Sequence, residues 1–484
     1  MMKTSRKSIP ESGFTASQLI PEMQKIKSAD ASWEEGRMFG YVYYPGDESA
    51  RIGEEAYRMF GTENALNPSL FTSLKKFENE IVQMVTVLLN GGAEAAGSFT
   101  SGGTESILLA VKTARDKARA DHPGIVHPGI IVPESAHPAF QKAAHYLGVN
   151  VVLIPVRPDK RADTDAMKKA ITSNTILLVG SAPCFPHGVI DPIREIGQIA
   201  VDNNILFHVD ACMGGMLIPF VEELGYPVPL FDFRVPGVSS ISADIHKYGY
   251  SPKGASVIIY ADHALRKHQF FVHTDWSGGL YGSPTFLGSR SGGHVAAAWA
   301  TILNLGREGY LKMAKEAMVT SQKLQDGINS IEGLRVISNP DLALFSFTSD
   351  TIDIFEVGDA MSGQNWFLDR IQFPNALHVT IAHHNAVQAD KFLLDLKQAV
   401  SRVKEKKLGS ASSHFLVSFV KGMSKVLPET WFRKLTSSAS RLTGSKDDSK
   451  HVMGAAMYGI TSGIENRGNV HELVLDVLDR MYSP

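Results

Sequence analysis

Two side chains in this sequence could together hold a cofactor covalently. The run Ile205-Leu-Phe-His-Val leads into Asp210, and the run Val238 to Ala243 leads to His246 and Lys247 inside a glycine-bearing turn, HKYGYSPKG. A lone lysine is ordinarily a solvated surface charge, and a lone aspartate at a strand end is ordinarily a cap or an ion-pair partner. The pair says more. A primary amine condenses with an aldehyde to an imine, and a carboxylate beside a pyridine nitrogen keeps that ring protonated and electron-withdrawing. Pyridoxal phosphate requires both groups. An apolar run that ends in such a residue places it at the carboxyl end of a buried strand, where open α/β sheets bind ligands.

The same cofactor needs an anion site. TSGGTESILLAVKTARD, from Thr100, is a small-residue loop running into a helical pattern, so backbone N–H groups and the positive helix end would face a phosphate there. Those residues could equally do no more than cap the helix, with Glu105 in its first turn. His137, in PESAHPAFQKAAHYLG, precedes another helix. In isolation it reads as a capping or surface histidine; beside the cofactor it would stack on the pyridine face and be available for proton transfer. The two cysteines, Cys184 and Cys212, lack CxxC or histidine-rich spacing, so neither a disulfide framework nor a zinc site is expected, and a reducing compartment fits best.

These groups need a scaffold that gathers loop ends on one side. Short β-branched runs (129 to 132, 149 to 155, 175 to 179, 205 to 209 and 257 to 260) alternate with amphipathic stretches such as 104 to 120 and 192 to 202. That alternation predicts a mainly parallel sheet wrapped by helices, an α/β architecture. Residues 1 to 60 read as an N-terminal arm containing the loop GYVYYPGDE, and 71 to 89 as a helix stopped by Asn90-Gly91-Gly92. A long helical pattern starts near Tyr310. Strand-like segments at 334 to 338, 343 to 348 and 376 to 381 then give a small α+β domain, with the boundary near residue 325. Between 405 and 450 a Ser- and Lys-rich stretch encloses an apolar helical face: Leu416, Phe419, Val420, Met423, Val426 and Leu427. This amphipathic insertion reads either as a surface helix packed on its own domain or, through Lys421, Lys425, Arg433 and Lys434, as a helix lying on anionic headgroups over 412 to 436.

The 484 residues favour a large domain plus a smaller one, and a formal charge of -2 gives no sign of a nucleic-acid partner. The amino-terminal stretch has basic residues with no apolar run behind them, which reads as neither signal peptide nor membrane anchor. The apolar stretch 205 to 221 contains His208 and Asp210 and is too short to span a bilayer. A cytoplasmic protein, peripheral at a membrane at most, is expected.

The chain resembles the fold-type I pyridoxal-phosphate enzymes, and within their decarboxylase-related branch the sphingosine-1-phosphate lyases. The resemblance rests on TSGGTES (100 to 106), SAHPAFQKAA (135 to 144), FPHGVIDP (185 to 192), HVDACMGG (208 to 215), FDFRVPGVSSISADIHKYGYSPKG (231 to 254), DWSGGLYGSPTFLGSRSGG (275 to 293) and GAAMYGI (454 to 460). It implies an aspartate-aminotransferase-like fold with a seven-stranded sheet. It also implies that Lys247 holds the cofactor, Asp210 pairs with its ring nitrogen and His137 stacks on it. Gly103 and Thr104 would bind its phosphate, with His246 nearby and Ser289 reaching it from a second subunit, and Asn64 would lie close to the cofactor. The active unit is then a homodimer with shared sites. The substrate's own phosphate would fall to Lys253 and Tyr43. Three residues after Asn64, where the family carries histidine, this chain has Asn67, an amide that cannot carry charge at neutral pH.

The implied reaction is retro-aldol cleavage of a phosphorylated sphingoid base to a long-chain aldehyde and phosphoethanolamine, a nearby histidine or the released lysine taking the substrate's hydroxyl proton. Amino-acid decarboxylation would use the same electron sink, and Lys253 with Tyr43 argues for the phosphorylated substrate instead. A catalytically idle membrane-surface binding protein would have no use for the Asp210 and Lys247 pair.

Overall fold

The computed structural model describes residues 8 to 409 and, beyond them, His471, Val474, Leu475, Leu478, Asp479 and Tyr482. The amphipathic segment 412 to 436 and the GAAMYGI motif lie outside the described residues.

Seven strands form the central sheet: β1 (Ala96–Thr100), β2 (Gly129–Pro133), β3 (Asn150–Ile154), β4 (Thr175–Ser181), β5 (Leu206–Asp210), β6 (Val238–Asp244) and β7 (Ser256–Tyr260), in the order β1-β7-β6-β5-β4-β2-β3. The neighbours from β6 to β3 are parallel, and β7 is antiparallel to both β6 and β1. Six strands therefore run one way, and β7 alone runs back. The carboxyl ends of β1, β2, β4, β5 and β6, together with the start of β7, share one edge. The register opposes Asp210 to Ser181 on one side and to Ser242 on the other. Nearly every residue of β4 to β7 is buried, as expected of strands covered on both faces.

The covering helices include α2 (Asp47–Phe60), α3 (Thr72–Leu88), α4 (Gly103–Asp121), α5 (Ala139–Leu147), α6 (Thr164–Ala170), α7 (Ile193–Asn203), α8 (Ile218–Glu223) and α9 (His263–Lys267); α1 (Ala16–Lys27) precedes them and buries none of its residues. The expected helix at 71 to 89 is α3. The long helical pattern starts earlier than its periodicity indicated: α10 runs Gly292–Asn329, with a kink at Gly306, where φ is 55°. Two glycines at its start, Gly292 and Gly293, let it close on neighbouring elements, since a Cβ would fall 2.7 Å from Leu74 on the first and 2.9 Å from the Tyr57 carbonyl on the second. An exposed hairpin, β8 (Phe271–Trp276) and β9 (Gly279–Ser283), projects between α9 and α10.

A second sheet contains β10 (Arg335–Val336) and β11 (Leu344–Thr348); the strand expected over 334 to 338 shrinks to two residues. The remaining elements are α11 (Ile354–Ser362), β12 (Asp369–Ile371), β13 (Ala376–Thr380) and α12 (Ala389–Gly409). By contact density the chain divides into two compact units, one of 39–350 with 377–393 and one of 1–38, 351–376 and 394–484. Residue 325, where the boundary was expected, lies inside α10. The larger unit contains the sheet and a core built of Ile131, Leu178, Phe207, Val209, Ile241 and their neighbours. The smaller buries Trp366, whose indole N–H donates to Asp395 Oδ2 at 2.9 Å. No helix among the described residues is long and apolar enough to cross a membrane.

Candidate active site

Lys247 sits in the connection that turns β6 back into β7. The N–H groups of Ile245 and His246 both donate to the Ala255 carbonyl, at 3.1 and 3.0 Å, and Tyr250 N–H closes the turn onto Lys247 O at 2.8 Å. The lysine is thus carried at the carboxyl edge by a rigid loop. Its Nζ lies 3.0 Å from Oδ2 of Asp244, the last residue of β6, and Asp244 is itself fully buried. Burial opposes the Lys247 ammonium, but the negative charge of Asp244 outweighs it, with Cys212 and Tyr43 adding to the effect, and the lysine pKa is raised. Burial likewise works against the Asp244 carboxylate, and Lys247 and His246 overcome it, leaving its pKa lowered.

His246 Nε2 lies 3.6 Å from Asp244 Oδ2, while its Nδ1 accepts the Ala255 N–H at 3.1 Å. A backbone N–H only donates, so the ring's proton sits on Nε2. Burial pushes the His246 pKa down to about 4, so the neutral form holds at physiological pH.

Asp210 ends β5 and is held by short-range donors: Cys212 N–H at 3.1 Å and Ser242 hydroxyl at 3.3 Å, both to Oδ1. Below it, fully buried His208 bridges Ser240 at 2.8 Å and Ser242 at 3.2 Å. These contacts fix the carboxylate's direction through neighbours in the adjacent strand.

His137 follows β2. Its Nδ1 accepts the Ala139 N–H at 3.1 Å, which again places the proton on Nε2. Burial is the largest influence on its ring and lowers its pKa, against the pull of Asp210; Lys247 and Asp244 also act on it electrostatically. His137, Asp210, Lys247 and Asp244 therefore face one space.

The β1–α4 loop closes that space. The first bond of α4 runs from Ser106 N–H to Gly102 O at 3.1 Å, so the amides of Gly103, Thr104 and Glu105 have no acceptor within the helix. A Cβ on Gly103 would lie 2.6 Å from Cys212 Sγ and 2.9 Å from both Asp244 oxygens, so only a bare backbone fits there. Thr100, Ser106 and Ser256 join their hydroxyls at 2.7 and 3.0 Å, tying this loop to the start of β7. Glu105 accepts Ser101 N–H at 2.7 Å and Phe286 N–H at 3.0 Å, which anchors the loop to the segment after the hairpin. An amine, an acid, a neutral imidazole and a helix amino end with a glycine cradle are the donor set that pyridoxal phosphate requires, and these residues fit it.

Lys253 lies beside the site. Its Nζ donates to the His246 carbonyl at 3.0 Å and stands 4.9 Å above the ring of buried Tyr43. Burial pushes the Lys253 pKa down to about 8, with Lys247 adding to the effect. Gly254 next to it has φ of 95°, and the His294 ring occupies the place its Cβ would take, with His294 Nδ1 2.9 Å from the Lys253 carbonyl.

Asn64 and Ser289 meet each other, Nδ2 to Oγ at 3.0 Å, while Asn64 Oδ1 accepts from Leu66 and Arg290 N–H groups. Their contacts within the chain run to each other and to neighbouring backbone. Asn67 spends its carbonyl on the N–H groups of Ser69 and Leu70, at 3.0 and 3.3 Å, as a local turn cap. Asp244, Cys212 and Ser242 are the site residues that sequence reasoning missed. Asp244 carried a signal, since it ends the β6 run as Asp210 ends the β5 run; Cys212 and Ser242 carried none.

The family model for the pyridoxal-dependent decarboxylase conserved domain matches residues 26–349. The chain is 46% identical over 409 residues to a sphingosine-1-phosphate lyase of Oryza sativa subsp. japonica, covering 83% of this chain and 75% of that protein. It is 44% identical to sphingosine-1-phosphate lyase 1 of Rattus norvegicus over 82% of this chain and 70% of that one. Among solved structures, the sphingosine-1-phosphate lyase of Burkholderia pseudomallei superposes with a TM-score of 0.80 at 42% identity, covering 86% of this chain and 97% of that chain. A glutamate decarboxylase of Lactobacillus brevis, at a TM-score of 0.72 and 19% identity, with 82% of this chain and 95% of that chain covered, shares the fold.

Proposed function

This chain belongs to the sphingosine-1-phosphate lyases of the pyridoxal-dependent decarboxylase family, and on that premise we propose how its residues divide the work. The enzyme is a pyridoxal-phosphate-dependent aldehyde-lyase that cleaves a phosphorylated sphingoid base to a long-chain aldehyde and phosphoethanolamine. When bound, the cofactor withdraws electrons from the carbon bearing the substrate's amine, so that the bond to the hydroxyl-bearing carbon can break.

Lys247 would hold the cofactor's aldehyde carbon, and Asp210, directed by Cys212 and Ser242, would keep the ring nitrogen protonated. His137 would pack against the ring. The amides of Gly103 and Thr104, with the Nε2–H of His246, would receive the cofactor phosphate. Both histidines already carry their proton on Nε2, and both Nδ1 atoms are engaged by backbone N–H groups. Each is therefore a donor, and the hydroxyl proton falls to the amine of Lys247 once the substrate has displaced it, with Asp244 3.0 Å away to stabilise the resulting ammonium. That ammonium then returns the proton to carbon after the aldehyde departs.

The observation that carries the substrate assignment is Lys253, an ammonium directed by the His246 carbonyl and the Tyr43 ring beside the catalytic lysine. It supports a second phosphate site formed with Tyr43. Lys253→Met is expected to raise KM for sphingosine-1-phosphate at least tenfold while leaving cofactor binding intact; unchanged KM would remove Lys253 from the substrate site. Lys247→Ala is expected to lose both aldehyde release and the visible, borohydride-fixable chromophore of the lysine-bound cofactor. Retention of a reducible chromophore would place the covalent bond on another residue.

The active unit in this proposal is a homodimer in which Ser289, with Asn64, reaches the partner's cofactor phosphate. A cytoplasmic location is supported by two cysteines that are buried and free. Peripheral membrane contact through 412 to 436 completes the proposal: deleting that segment should abolish binding to anionic liposomes, and unchanged binding would dismiss it.

A further inference from the structure

Asp244 is a carboxylate at the end of β6 with both oxygens buried and without an aligned hydrogen bond, although Lys247 Nζ lies 3.0 Å away and His246 Nε2 3.6 Å away. A buried carboxylate without donors is costly unless a cation neutralises it. Its backbone cannot retreat. Ala255 holds the two residues after it from across the hairpin, and Asp244 pairs with Ser256 in the β6–β7 register. Nor can it be shielded by a side chain from the β1–α4 loop, because the facing residue is Gly103, too close for any Cβ. Among the described residues, the one full positive charge it meets at ion-pair distance is the nitrogen that must form the covalent bond to the cofactor. The other charged or titratable groups acting on Lys247 or its surroundings are Asp210, Cys212, Tyr43, His137, His246 and Lys253.

We infer that Asp244 is a positioning residue that stabilises the ammonium form of Lys247 when Nζ is not bonded to the cofactor. The inference rests on the assignment of Lys247 above. It gives Asp244 a use at two stages. In turnover it makes the released amine a willing proton acceptor and keeps the ammonium at the site. In the cofactor-free protein it restrains capture, because the ammonium must first lose its proton to solvent before Nζ can bond to the aldehyde carbon, the aldehyde oxygen then leaving as water. The raised pKa of Lys247 agrees with this arrangement.

The test follows cofactor capture by the cofactor-free protein, read as growth of the visible chromophore across pH, with Lys247→Ala subtracted as the blank for surface lysines. The wild type should capture slowly at neutral pH, its rate climbing about tenfold per pH unit through the alkaline range. Asp244→Asn, nearly the same in shape, should capture at least about tenfold faster at neutral pH and reach its plateau at lower pH. Coincident profiles for the two proteins, with matching circular dichroism, would overturn the inference. Should the variant fail to fold, the wild type alone still decides: a rate that is already level at neutral pH would mean that Nζ is not held as an ammonium. A Lys247→Ala protein that still forms a reducible chromophore would sink the site assignment itself, which separates the two failures.

Discussion

Lys253 shows how one side chain's surroundings set a pH window for the reaction. Its ammonium loses part of its water beside a second cation, and both effects bring its pKa down to about 8. It is therefore charged below that pH and neutral above it, so attraction for a substrate phosphate is present at neutral pH and lost as pH rises through about 8. The expected outcome is a fall in kcat/KM for sphingosine-1-phosphate on that limb, with bound phosphate dianion moving it upward. Lys253→Arg, which keeps its charge throughout, should flatten the limb even if its overall rate is lower. A wild-type limb that persists unchanged in the arginine variant would assign the titration to another group. The positions of Lys247, Asp210 and His137 were legible because each follows a recognisable strand run. Lys253 and Tyr43 were reached only through resemblance, since no local pattern brings a residue at position 43 to a turn at position 253. The neutral Nε2–H state of both histidines was invisible in the sequence, because it depends on which backbone N–H each Nδ1 meets.

At the scale of elements, the alternation of β-branched runs with amphipathic stretches identified β2 to β7 and most of their helices. It missed β1, whose sequence AGSFT is largely of small residues, because that strand is made by its pairing with β7 and not by intrinsic preference. It also delayed the start of α10, since Gly292 and Gly293 argue locally against a helix and are tolerated there for close packing. The same reasoning gives the β1–α4 loop a sharp test. Gly103 faces Cys212 at 2.6 Å and Asp244 at 2.9 Å from where a Cβ would stand, so Gly103→Ala must push the loop outward or displace both side chains. Either shift spoils the amide cradle. Cofactor affinity, read by absorbance titration, is expected to fall about tenfold or more, in line with loss of about 1.4 kcal/mol, the free energy of a tenfold change. An alanine variant that binds cofactor as tightly as the wild type would show that the phosphate is not seated on that turn.

At the scale of the molecule, the chain's division was the least legible feature. The smaller unit is assembled from separated stretches of sequence, which periodicity along the chain cannot join. The subunit arrangement is likewise a property of surface, and the hairpin β8–β9 is where the surface is anomalous. Phe271, Val272, Trp276 and Leu280 are 55%, 66%, 55% and 83% exposed on a two-stranded ribbon that has no third strand among the described residues. A two-stranded ribbon is at best marginally stable in water, and a cluster of exposed apolar side chains marks an interaction surface. The segment after it carries Phe286, tied to Glu105 in the loop that opens α4, and then Ser289, held by Asn64, so a partner covering the hairpin would meet residues linked to the cofactor cradle. The Trp276→Glu, Leu280→Glu double variant places two charges on that ribbon without touching any group assigned to the site. If the proposed homodimer forms across the hairpin, the variant is expected to sediment as a monomer and the wild type as a dimer, and the variant to lose cofactor affinity together with turnover, because Ser289 would no longer reach a neighbour's phosphate. A double variant that stays dimeric and fully active would move the interface elsewhere, and one that becomes monomeric yet keeps its cofactor affinity would return Ser289 to a purely structural partnership with Asn64.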